Sequence, residues 1–99
     1  MKGAHGRFYE ITLRLAGDAR GGQLADELLN ACFDHVLPAG SDEGSMTTLA
    51  HVMAALDRFN AYVRREGKGP AEGLFVGTPE EVAAWAEDLT WQIWENRPN

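Results

Sequence analysis

The four residues "TPEE", Thr78 to Glu81, constrain this chain more tightly than any others. A threonine side chain can accept a hydrogen bond from the backbone N–H three residues on, and a glutamate at that third position can return one. The proline between them takes the first helical position, where its missing N–H costs nothing. Both glutamates also lie at the positive end of the helix dipole. The motif predicts a helix that starts at Pro79, and the apolar spacing that follows carries it to about Glu95, with Pro98 beyond its end.

A known start lets the helix be projected at about 100° per residue. Val82, Ala86, Leu89 and Ile93 then fall within about 60° of one another, and Trp85 flanks them. This stripe is the expected core face, with Trp85 as a structural ring. Trp91 projects about 180° from Val82, and Trp94 about 120°, on the border between the faces. Around Trp91 lie Glu80, Glu81, Glu87, Asp88 and Glu95. The outer face is an acidic field with an indole near its middle. Two accounts compete: Trp91 lies against another element of its own chain, or Trp91 and Trp94 anchor an interface. Tryptophan is enriched at binding hot spots, and a charged rim selects a basic partner.

The rest of the chain reads as follows. "FYEITLRL" alternates, with Tyr9, Ile11, Leu13 and Leu15 on one side and Phe8, Glu10, Thr12 and Arg14 on the other, which predicts a half-buried strand. "AGDARGG" ends it. Leu24 to Leu37 predicts a helix whose apolar face covers about half its circumference and suits packing between two neighbours. Thr47 or Thr48 caps a second helix that runs to about Glu66, with Leu49, Val52, Met53, Leu56, Phe59 and Val63 as its stripe. His51, Ala55, Arg58 and Tyr62 share its outer face, and Tyr62 is a second candidate contact point. "GLFVG", Gly73 to Gly77, reads as a short strand. The expected fold is α+β: one domain over residues 1–99, with three helices packed on a small two- or three-stranded sheet in the order β-α-α-β-α. Two strands make a marginal sheet. A third strand is therefore sought in the first residues or around Leu37, failing which a sheet edge pairs with another copy or a partner.

Composition excludes several classes. With 44% hydrophobic and 24% charged residues among 99, the chain is expected to be an ordinary soluble domain. No apolar run approaches the ~20 residues of a membrane helix, and the start has no apolar signal core. A single cysteine, Cys32, makes no internal disulfide, so a cytoplasmic setting is expected. A net charge of −6 argues against direct nucleic-acid contacts and against an anionic membrane surface. The charges are also segregated. Gly21 to Asp57 and Gly69 to Asn96 contain no Lys or Arg, and Arg58, Arg64, Arg65 and Lys68 form a basic island between them.

Candidates for chemistry are weak. Cys32 and His35 form C-x-x-H, but Cys32 lies in an apolar stripe with only acids nearby, which raises a thiol pKa. A packed core cysteine is expected, with no metal and no cofactor. The glycine-rich stretch before Leu24 matches neither phosphate-binding motif. Adjacent carboxylates such as Asp26 and Glu27 do not face each other on a helix. The expected function is a small acidic, non-enzymatic binding or inhibitor protein of the anti-CRISPR, anti-restriction or toxin-immunity type, which places the protein with phage or mobile-element functions. Its surface would be Trp91, Trp94, Glu80, Glu87, Asp88, Glu95 and Tyr62. Its partner would be a protein with a basic surface, such as one that normally holds nucleic acid. The alternatives are a self-associating accessory subunit, a homodimer through the same rings, and, remotely, a small enzyme or ligand-binding domain around Cys32 and His35.

Overall fold

A computed structural model describes residues 4–37, 45–69 and 73–95. Four helices account for most of them: α1 (Ala4–Arg14), α2 (Ala19–Val36), α3 (Ser45–Glu66) and α4 (Pro79–Glu95). Among the described residues there is no strand, so the expected α+β fold is replaced by an all-helical bundle.

The first correction falls on "FYEITLRL", which is helical. Phe8, Ile11 and Leu15 are buried, while Tyr9 and Leu13 are 55% and 57% exposed. The spacing i, i+3, i+7 was present alongside the alternation, and an eight-residue window satisfies both periods. A helix also pairs its backbone groups within the segment, whereas a strand needs a neighbour. The second correction falls on "GLFVG". Leu74 is fully buried, but its segment joins no sheet. Asn60 of α3 takes the place of a neighbouring strand. Its side-chain oxygen accepts from the Leu74 N–H, and its Nδ2 donates to the Phe75 carbonyl at 2.8 Å. Gly73 precedes this clamp with φ +88°, and a Cβ there would collide with the Asn60 amide. Among the described residues no third strand forms up to Leu37; residues 1–3 and 38–44 lie outside them.

The third correction moves the start of α2 back to Ala19. Asp18 caps the helix, its Oδ1 accepting from the Gly21 N–H at 3.0 Å. Leu15 packs closely on Gly21: a Cβ there would come within 2.8 Å of its Cδ2 and 3.2 Å of its Cβ, so the leucine would have to shift. Helix α3 likewise begins at Ser45, ahead of the threonines expected to cap it.

Helices α2 and α3 run antiparallel. His35, near the end of α2, meets Thr48 near the start of α3, with Nδ1 and Oγ1 2.9 Å apart. Tyr62, near the end of α3, donates to Asp18 Oδ2 at 2.6 Å. Helix α4 packs on all three others, and the wide apolar face of α2 meets both α3 and α4. The core draws on every helix: Ile11, Leu28, Cys32, Val52, Phe59, Val63 and Leu89 are all sealed from solvent. Ala55, expected on the outer face of α3, is buried as well.

Candidate functional site

The capping box that starts α4 forms as the sequence dictates. Glu81 Oε1 accepts from the Thr78 N–H at 2.8 Å, and Thr78 Oγ1 accepts from the Glu81 N–H at 3.2 Å. The bond from the Thr78 N–H, seconded by the Thr78 hydroxyl, holds the Glu81 carboxyl below its usual range. With the start in place, the phase of the helix follows. Val82, Trp85, Ala86, Leu89 and Thr90 face the core. Trp85 is buried and stacks on Phe75, with ring centroids 5.6 Å apart and planes 18° apart.

Trp91 and Trp94 point elsewhere. They remain 40% and 42% exposed. Glu80, Glu87, Asp88 and Glu95 are exposed on the same helix, and Asp88 accepts from Gln92 Nε2 at 2.7 Å. Trp91 is not a free-standing ring. It shares a recess of about 270 Å³ with Ala83 and Glu87 of its own helix and with His35 and Val36 at the end of α2. Trp91 thus borders the end of α2 across this recess while staying about two-fifths exposed.

Tyr62 belongs to a different surface. Besides its bond to Asp18, its ring lies 5.3 Å from the Arg65 guanidinium. It lines a groove with Arg20, Leu24, Arg58, Ala61 and Arg65. Arg20 and His35 are about 22 Å apart along α2 at 1.5 Å per residue, so Tyr62 does not join the Trp91 surface. The bond from Tyr62 is the main cause that lowers the Asp18 pKa, and it raises that of Tyr62.

Cys32 and His35 do not assemble a reactive pair. Burial pushes the Cys32 thiol up to about 12, and no surface of it reaches solvent. The thiol is therefore protonated at neutral pH and a poor nucleophile. The Nδ1 of His35 is engaged with Thr48. Among the described residues no three His, Cys, Asp or Glu side chains gather to hold a metal ion. At the glycine-rich approach to α2 the Asp18 carboxylate itself caps the helix N-terminus, which disfavours an anion there. No described helix is long and apolar enough to cross a membrane.

Sequence reasoning missed the recess beside Trp91 and the arginine groove around Tyr62. Each is made of residues from two helices, and no local spacing announces which helices will meet. Comparison with known proteins found no match, whether to a protein-family model, a curated protein or a solved structure.

Proposed function

We propose that the protein is a non-enzymatic binding module that docks the outer face of α4 onto a basic surface of another macromolecule, as a small inhibitor protein would. One observation carries this reading. Two indoles remain about two-fifths exposed on a helix whose charged residues are all acidic. A large amphipathic ring gains most when a partner covers it, and a rim of carboxylates rejects acidic surfaces while steering basic ones. A site that ordinarily holds nucleic acid has that basic character.

The test is capture of host proteins on the tagged protein, with Trp91→Ala as a parallel bait, followed by affinity measurement on whatever the wild type retains. Trp91→Ala is expected to weaken binding by about 30-fold or more, the equivalent of about 2 kcal/mol. Equal affinity in the two baits would overturn the reading. Self-association is the competing account. It loses its sheet-edge route, because the described residues contain no strand, and keeps only the two indoles. Sedimentation of the pure protein at micromolar concentration decides it: a monomer removes the homodimer.

A further inference from the structure

The recess beside Trp91 brings together three features that each favour positive charge, and they come from two separate helices. Helix α2 ends at Val36, in the wall of the recess. The last carbonyls of a helix have no partner within it and carry a partial charge of roughly −0.5. Glu87 adds an exposed carboxylate one helical turn before Trp91. Trp91 adds a half-open indole, the side chain that attracts cations best. Val36 and Ala83 complete the lining with apolar surface. His35 is the one basic group in the lining, and its Nδ1 is held by Thr48 rather than by Glu87. No Lys or Arg occurs anywhere on α4.

We propose that this recess binds a single cationic side chain, an arginine of the partner's basic surface. A guanidinium is planar, so it can lie on the indole while its N–H groups reach the Glu87 carboxylate and the end of α2. Its aliphatic stem has Val36 and Ala83 to rest on. A volume of about 270 Å³ suits one side chain and is too small for a docked helix. The inference rests on α4 being the docking face, and it specifies what enters there.

The experiment follows the indole N–H signals by NMR while N-acetyl-arginine amide is added at millimolar concentration. N-acetyl-glutamine amide serves as the neutral control. The expected result is a saturable shift of the Trp91 signal with the arginine probe and none with the glutamine probe, the Trp85 signal staying in place. Glu87→Gln should weaken the arginine response at least fivefold, as should Trp91→Leu when backbone amides of Ala83 and Glu87 are followed instead. Glu87 is exposed, so its variant keeps the fold, and the unmoved Trp85 signal reports this. No saturable shift, an equal response to both probes, or an unchanged response in Glu87→Gln overturns the pocket. A partner that still binds in a Trp91-dependent way after such a failure would leave the docking face standing and remove the arginine. Arginine binding with no Trp91-dependent partner would do the reverse.

Discussion

Asn60 replaces a whole strand with one side chain. Its amide presents one acceptor and one donor in the arrangement of a peptide group, and both are used, on Leu74 and Phe75. Removing it strands a buried N–H and a carbonyl together. Asn60→Ala is expected to cost about 2–4 kcal/mol in urea unfolding, and Gly73→Ala to destabilise the same corner by strain against the same amide. A cost below about 0.5 kcal/mol for Asn60→Ala would show that the clamp does not hold the segment. The local sequence does not reveal this: "GLFVG" shows extended, apolar character, but the partner that pairs with it lies on α3, 14 and 15 residues away in the chain. Cys32 makes a second prediction at this scale. Below about pH 9.0 the thiol is protonated in both folded and unfolded chains, and the folded value is about 12. Between those values the unfolded chain loses the proton and the folded one keeps it, so stability falls as pH rises. Tyr62, also raised, adds to the fall in the same direction. The slope of unfolding free energy against pH above 9.0 should therefore be shallower in Cys32→Ala than in the wild type. Parallel slopes would mean that the thiol is not buried as described.

At the scale of elements, α1 is the segment that two periods describe equally well. The alternation places Ile11 and Leu13 on one face, whereas the helix buries Ile11 to 2% and leaves Leu13 57% exposed. The two readings differ in a measurable way. Ile11→Ala is expected to cost about 2–4 kcal/mol and Leu13→Ala less than about 0.5 kcal/mol, both by urea unfolding. Similar costs at the two positions would restore the strand. The helix wins because Phe8, Ile11 and Leu15 reach the bundle together, with Phe8 6.0 Å from the Phe59 ring, and because no described strand exists to pair with an alternative. The other helices were readable from sequence to different degrees. The capping box placed α4 and its phase, since all the bonds involved lie within four residues. The start of α2 was displaced because Gly21 and Gly22 look like a turn, and the close packing of Leu15 on Gly21 arises only in the fold.

In the whole molecule, part of the basic island and the second acidic block seen along the chain fall on two different surfaces. One is the arginine groove around Tyr62, between α2 and α3, and the other is the acidic face of α4. A partner held by the acidic face should be released as salt is added, because exposed charges are screened over about 10 Å at ~0.1 M ionic strength. Salt-insensitive binding that still depends on Trp91 would assign the affinity to the indole alone. What the sequence determined by itself is local and periodic: the capping box, the phase of α4, the core role of Trp85, the outward turn of Trp91 and the helical stripe of α3. Those follow from hydrogen bonds within one turn and from the 3.6-residue repeat, which need no knowledge of neighbours. What only the tertiary structure decided is non-local. It includes the helical state of α1, the Asn60 clamp, the separation of Tyr62 from the tryptophans and the meeting of α2's end with Trp91. Each of those depends on which surfaces bury each other. An ambiguous period or an exposed ring is resolved only when the free energy of the whole packed core is compared between arrangements.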